Sequence, residues 1–179
     1  MSAKPSSLAQ IRRFVLAQPN RGRSSSRVQS KWNQLVRWIP ALVWAGVIFL
    51  ASADPVSADR SSRIIGPFVQ WLFPDISEEA LGTTVFYVRK LAHVTEYAVL
   101  SMLVWFALPR PKSAQSGRWP GRKALLTLII VAAYAATDEL HQTIVPTRQG
   151  NPVDVLIDTF GGAMGLMAVW IIGRWRKLW

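Results

Sequence analysis

The 179-residue chain is half apolar and yet strongly basic, with 21 lysine and arginine residues against 10 acidic ones. The absence of cysteine excludes disulfides, thiolate metal sites and cysteine nucleophiles. A net charge of +11 would suit nucleic-acid binding. The basic residues, however, lie between long apolar runs and not on one face of a soluble fold, so no nucleic-acid partner is expected.

The N-terminal residues 1–31 are predicted to form a disordered basic arm, because they carry no acidic residue and little apolar surface to bury. The first apolar run covers 38–53. At about 1.5 Å per residue it falls just short of a hydrocarbon core of about 30 Å. Extending it to Leu35, with Arg37 reaching back to the interface, predicts a span over 35–53. A cleaved signal peptide is the alternative, because Ala51-Ser52-Ala53 matches a cleavage site.

A second apolar pattern follows, at helical spacing, and stops at Pro74. It is too short to cross a membrane and predicts an interfacial helix on the outer surface. Glu78 and Glu79 are then expected to begin a helix that runs into the next span. The residues of the amphipathic pattern are Ile64, Ile65, Phe68, Val69, Leu72 and Phe73.

Three more apolar runs predict spans over 91–108, 124–145 and 153–172. The expected fold class is therefore all-α. The chain is predicted to be a polytopic membrane protein with four transmembrane helices in a bundle, plus the short interfacial helix. One transmembrane domain covers 32–177.

The basic residues also predict orientation. Residues 1–37, the 109–123 loop and the C-terminal tail hold 16 of the 21 basic side chains and no acidic one. Cytoplasmic segments carry such an excess of lysine and arginine. We therefore expect an inner (plasma) membrane protein with both termini in the cytoplasm.

Ionisable residues interrupt the predicted spans at several positions. An acidic side chain at mid-membrane costs roughly 2.5–3.5 kcal/mol on insertion scales, so these groups must face one another or a wet cavity. The seven residues are His93, Glu96, Asp138, Glu139, His141, Asp154 and Asp158.

The depth of the carboxylates points to one common site. Glu96 lies six residues from Lys90, Asp158 six from Pro152 and Asp138 seven from Val145. Each is therefore about 9–11 Å below the outer boundary at helical rise. The expected arrangement is a polar pocket that opens outward. A Gly161-x-x-x-Gly165 spacing shares a face with Asp158 and would let a neighbouring helix approach closely. The expected rim of the pocket is Arg89, Lys90 and Arg148.

Three motifs carry a family resemblance. The segments 89–97 (RKLAHVTEY) and 138–142 (DELHQ), and Arg148 followed by 154–161 (DVLIDTFG), are similar to the VanZ-like family over about residues 38–172. The resemblance implies a membrane protein related to one that gives low-level resistance to teicoplanin. Family members commonly carry Asn where this chain has Asp158. The motif residues, carried over by position, are Lys90, His93, Glu96, Tyr97, Asp138, Glu139, Gln142, Arg148, Asp154 and the glycines.

The expected function is binding of membrane lipid, with an anionic lipid or a cell-wall precursor as ligand, possible effects on glycopeptide susceptibility, and no cofactor. A proton-coupled transporter and a membrane-embedded enzyme remain alternatives. The sequence leaves the oligomeric state open. The enzyme would use His93, Glu96, Asp138 or Glu139 as acid or base. A metal is not expected, although His93, Glu96, Asp138 and His141 have ligand spacing. The full set of predicted ligand-binding residues is Arg89, Lys90, His93, Glu96, Tyr97, Asp138, Glu139, Gln142, Arg148, Asp154 and Asp158.

Overall fold

The computed structural model describes the backbone of most of the chain, and its side chains from residue 32 onward except 53–62 and the loop gaps. Every regular element in these residues is an α-helix, which confirms the predicted fold class. The described ranges are 21–53, 57–110, 117–145 and 150–179. The helices are α1 (Arg21–Ala53), α2 (Ser57–Leu72), α3 (Glu78–Ala107), α4 (Gly121–Gln142) and α5 (Pro152–Trp175).

Three of these helices contain segments long and apolar enough to cross a membrane: Trp32–Ser52 of α1, all of α4 and all of α5. The fourth predicted span, 91–108, lies within α3, which is not among them. Its Lys90, His93 and Glu96 interrupt the apolar sequence and lower its mean hydropathy. Among its described residues the chain therefore has three candidate spans where the sequence predicted four.

The N-terminal region differs from its prediction where it can be described. The chain divides into two units, residues 1–36 and 37–179, and of the first the structure describes only residues 21–36. These belong to α1, so residues 21–31 of the predicted disordered arm are helical. Arginine is a good helix former, which lets the helix extend ahead of its apolar run. The remainder of the predicted arm, 1–20, lies outside the described residues.

The long helix α3 begins where the sequence predicted it. Ser77 adopts an extended conformation, and its hydroxyl accepts a hydrogen bond from the amide of Ala80 at 3.3 Å. Glu78 and Glu79 occupy the first turn, where negative charge favours the helix dipole. Helix α2 occupies the position of the predicted amphipathic helix, with Val69 buried.

The unit 37–179 is organised around α3 and α5, which pack most extensively against each other, while α4 packs against both. Its larger core lies among α1, α3 and α4, and the outward faces of the helices expose large apolar side chains, as lipid contact requires. The buried residues of this core are Ala41, Ile48, Tyr97, Leu100, Val104, Leu108, Val131 and Ala135.

Candidate functional site

Two glycines on one face of α5 bring its backbone against that of α3. A methyl group built on Gly161 would lie 2.9 Å from the Cα atom of Val94. One built on Gly165 would overlap the carbonyl oxygen of Ala98 and the hydroxyl of Ser101. Only glycine permits this approach, so the close packing predicted from the Gly-x-x-x-Gly spacing is confirmed. It fixes the register in which the polar residues of the two helices meet.

Asp138 lies at the centre of the polar residues and is only 1% exposed. Its Oδ2 atom accepts hydrogen bonds from Ser52 Oγ at 2.9 Å, Gln142 Nε2 at 3.2 Å and Tyr97 OH at 3.4 Å. Three helices, α1, α3 and α4, therefore converge on one carboxyl oxygen. The other oxygen, Oδ1, is buried and has no hydrogen-bond partner among the described residues.

Ser52 is a site residue that sequence reasoning missed. It is 1% exposed and lies one helical turn after Ile48, on the same buried face of α1. In the sequence it stands at the end of an apolar run, between two alanines that fit a signal-peptidase site. A single small polar residue there gives no signal of a partner 86 positions away.

Lys90 on α3 and Asp154 in the first turn of α5 form an ion pair. Their side chains are 30% and 24% exposed, so the pair lies near the surface end of the polar residues. The Lys90 ammonium also lies 5.7 Å from the centre of the Phe86 ring. Lys90 and Asp154 were both predicted site residues, and the structure joins them directly.

Two further acidic residues lie beside these, Glu139 at 7% exposure and Asp158 at 3%. The Oε2 atom of Glu139 accepts a hydrogen bond from the backbone amide of Asn151 at 2.8 Å. A methyl group on Gly150 would overlap the Glu139 carbonyl oxygen, so Gly150, just before α5, lies directly on the last turn of α4. This contact positions the start of α5 above the buried acids.

The buried carboxyl groups and Lys90 are close enough to interact electrostatically. The carboxyl group of Asp158 is acted on by Glu139, Asp138 and Asp154, with Lys90 as the opposing charge. We call these five residues the acid cluster. Among the described residues that act on Asp158, three other carboxyl groups are thus opposed by one ammonium. Desolvated carboxylates are stable only when paired or hydrogen-bonded, so the cluster favours hydrogen-bond donors and cations.

His93 and Glu96 form a contact of their own on α3, with His93 Nδ1 3.7 Å from Glu96 Oε2 and both side chains about one-third exposed. The backbone carbonyl of Glu96 accepts a hydrogen bond from the indole of Trp44 at 3.0 Å, which ties α1 to α3. No group of three or more His, Asp or Glu residues with metal-binding geometry occurs in the part of the chain that the structure describes. The metal alternative gains no support there.

The remaining predicted residues are placed less centrally. His141 packs its ring against Phe49, with centroids 4.4 Å apart, and within the described ranges its buried Nε2 atom has no hydrogen-bond partner. Arg89 is half-buried next to Lys90. Arg148, predicted to complete the rim, lies outside the described residues. Its role stays a prediction.

Comparison with known proteins gives one assignment. No curated protein and no solved structure matches the chain. The family model described as VanZ/LLP1 matches residues 37–173, a range that contains all of the acid cluster. The match covers well over half of the chain, so this protein belongs to the VanZ/LLP1 family.

Proposed function

We propose that this protein is an integral membrane protein of the cell envelope, in which α3 crosses the inner membrane together with the three apolar helices. The support is geometric. Contacts between α3 and α5 extend from the Lys90–Asp154 ion pair to the cluster in which Trp105 packs with Leu166 and Val169. These contacts accompany α5 along most of its length, and a helix packed in this way enters the membrane with its partner. Its polar residues are then sheltered by neighbouring helices and not exposed to lipid.

With four spans both termini lie on the same side of the membrane, and the basic residues place that side in the cytoplasm. The acid cluster then lies toward the extracytoplasmic side. Reporter fusions in the 108–120 loop and at the C-terminus are expected to be active only as cytoplasmic reporters, and a fusion in the 73–77 turn only as an external one. The physical reason is the concentration of basic residues next to the first two positions. If α3 does not cross, the 73–77 turn and the 108–120 loop lie on the same side of the membrane, and the fusions at these two positions will report the same side.

The function that the geometry supports best is binding of a lipid-linked cell-wall precursor through its polar head. The observation that carries this proposal is the buried, unpartnered Oδ1 atom of Asp138 among the described residues, next to three other carboxyl groups. A buried acceptor without a partner calls for an explanation, and a ligand hydroxyl or amine would supply the missing donor.

The charge balance favours the cell-wall precursor over a simple anionic lipid. A simple anionic lipid would bring negative charge to carboxyl groups whose described cation, Lys90, is already paired with Asp154. Like charges in one desolvated site repel strongly. A precursor that carries sugar hydroxyl or peptide amine groups as well as a phosphate offers donors to the acids, while its phosphate lies outside the cluster. An effect on teicoplanin susceptibility would follow if the protein sequesters such precursors.

The proposal is tested by native mass spectrometry of the detergent-solubilised protein with an added undecaprenyl-linked disaccharide-pentapeptide precursor. Asp138→Asn keeps the size of the side chain but removes its charge, and is expected to weaken precursor binding by about tenfold, the loss that follows from one charge-assisted hydrogen bond. Asp75→Asn is the matched control, because Asp75 is exposed in the turn before α3. Equal affinities of the two variants would contradict the assignment of the site.

A further inference from the structure

A cavity lies at the opposite end of the helices from the acid cluster, where α3 ends, α4 begins and α5 ends. Its volume is about 670 Å³, and all of its lining belongs to the unit 37–179. None of the described residues that line it is acidic. Its charged lining consists of four cations, Arg37, Arg110, Lys123 and Arg176. We call this cavity the basic pocket.

Lys123 is the innermost of these cations, at 8% exposure. Its ammonium donates a hydrogen bond to the carbonyl of Leu108 at 2.9 Å and lies 4.6 Å from the centre of the Trp105 ring. Arg110 and Arg37 are close enough to act on it as like charges. A carbonyl and an aromatic face compensate only part of the cost of burying an ammonium. An anion in the pocket would supply the rest.

The apolar wall of the basic pocket includes Trp105 and Trp179, and Trp119 packs against both of them. Trp105 and Trp119 stack with their ring planes 10° apart and their centroids separated by 4.8 Å. Trp179, the last residue of the chain, lies edge-on to Trp119 at 4.9 Å and donates its indole N–H to the carbonyl of Trp170 at 3.3 Å. A methyl group on Gly173 would overlap the Trp179 ring, so the tail folds back closely onto α5. The wall is therefore a packed structure, and its indoles are suited to the membrane interface.

We propose that the basic pocket binds the phosphate group of an anionic phospholipid in the cytoplasmic leaflet. The phosphate would lie among Lys123, Arg110 and Arg37, and the start of the acyl chains along Trp105 and Trp179. Arginine and lysine are the usual phosphate ligands, and basic pockets between transmembrane helices on the cytoplasmic side bind lipid head groups.

A lipid fits the basic pocket better than free phosphate or another soluble anion. Trp105, Phe106 and Trp179 supply apolar wall that a soluble anion would not use. The pocket also lies at the ends of helices long and apolar enough to span the bilayer, where lipid head groups are at high local concentration. The assignment to the cytoplasmic leaflet rests on the proposed topology, but lipid binding itself does not depend on the precursor site at the other end.

The experiment measures lipid binding to the detergent-solubilised full-length chain by native mass spectrometry and by intrinsic tryptophan fluorescence. Phosphatidylglycerol is the anionic probe, phosphatidylcholine the zwitterionic one, and inorganic phosphate is tested as a competitor. The wild type is expected to bind phosphatidylglycerol about tenfold more tightly than phosphatidylcholine, because its head group has a net negative charge, whereas the choline of phosphatidylcholine would bring a like charge to the cations of the pocket. Inorganic phosphate at equal concentration should not displace the lipid.

Two variants remove one cation each. Lys123→Met keeps the length and the apolar part of the side chain, and Arg176→Gln keeps a polar group at the rim. Both are expected to lower phosphatidylglycerol affinity by about tenfold and phosphatidylcholine affinity by less, since Lys123→Met removes a phosphate ligand and Arg176→Gln removes a rim cation that would repel choline. Arg122→Gln is the matched control, because Arg122 is the exposed neighbour of Lys123 and does not line the pocket. Its affinity should stay within about twofold of the wild type.

Three outcomes would overturn the proposal. Equal affinity for the two lipids would show that the pocket does not discriminate between head groups by their net charge. An equal loss in Arg122→Gln and Arg176→Gln would show nonspecific attraction to a basic surface. Displacement of the lipid by inorganic phosphate would assign the pocket to a soluble anion.

Discussion

Replacing Gly165 by alanine is expected to destabilise the folded protein by about 1–3 kcal/mol, the usual range for overpacking a tightly packed interior. The added methyl group would overlap the backbone carbonyl of Ala98 and the hydroxyl of Ser101. Neither α3 nor α5 can yield locally, because the carbonyl belongs to the helix backbone. The helices must separate, which also loosens the contacts around Asp138 and Asp154. Thermal unfolding in detergent, followed by size-exclusion chromatography, measures the effect.

The control for this prediction is a glycine with open space around it. A methyl group at Gly82 on α3 meets nothing within 4 Å. Gly82→Ala is expected to raise stability by up to about 1 kcal/mol, because alanine favours the helix more than glycine does. The two Gly→Ala substitutions should therefore differ in sign. A Gly165→Ala protein as stable as the Gly82→Ala protein would show that α3 and α5 do not approach as closely as described.

The close approach of α3 and α5 was accessible from sequence, because a Gly-x-x-x-Gly pattern has one common structural meaning in an apolar helix. A common level for Asp138 and Asp158 was accessible for a similar reason, because ionisable groups in apolar runs must be sheltered and their depths in the sequence are equal. The same argument included Glu96, which in the structure contacts His93 and is not part of the acid cluster. Lys90 was expected at the rim and forms an ion pair with Asp154.

Ser52 and Trp44 show where such reasoning stops. Both residues lie on α1 and donate a hydrogen bond to another helix. Ser52 donates to Asp138, and Trp44 donates to the backbone carbonyl of Glu96. Nothing local distinguishes a serine or a tryptophan that has such a partner from one that faces lipid. The rotation of α1 about its axis, which selects these residues, is set by packing against α3 and α4.

The basic pocket went unrecognised for another reason. Its cations were interpreted only as a signal of orientation, since the positive-inside rule already accounts for basic loops. The four cations that line the pocket come from the end of α3, the start of α4, the end of α5 and the interior of α1, which are distant in sequence. The return of Trp179 onto α5, which closes the pocket wall, follows a turn at Lys177 with a positive φ of 54°. Lysine seldom adopts that conformation, so no pattern indicated the turn.

The acid cluster predicts an asymmetry between the two partners of its ion pair. Lys90→Met removes the ammonium that acts on Asp154, Glu139 and Asp158 together. We expect a loss of about 3 kcal/mol in the free energy of unfolding, the lower end of the range for a broken buried pair, because the pair is partly exposed. Asp154→Asn is expected to cost much less, because Lys90 then still has the other carboxyl groups nearby.

The double variant Lys90→Met/Asp154→Asn distinguishes this explanation from a simple packing loss. Removing the carboxylate that Lys90→Met leaves unpaired should restore at least half of the lost stability, whereas a packing defect would be unaffected or made worse. Lys177→Met is the matched control, since Lys177 is exposed in the turn after α5 and its loss should change stability by no more than about 0.5 kcal/mol. The four variants and the wild type are compared by thermal unfolding in the same detergent. If the double variant is no more stable than Lys90→Met, the lysine does not act by neutralising the acid cluster, and the charge argument for the precursor site fails with it.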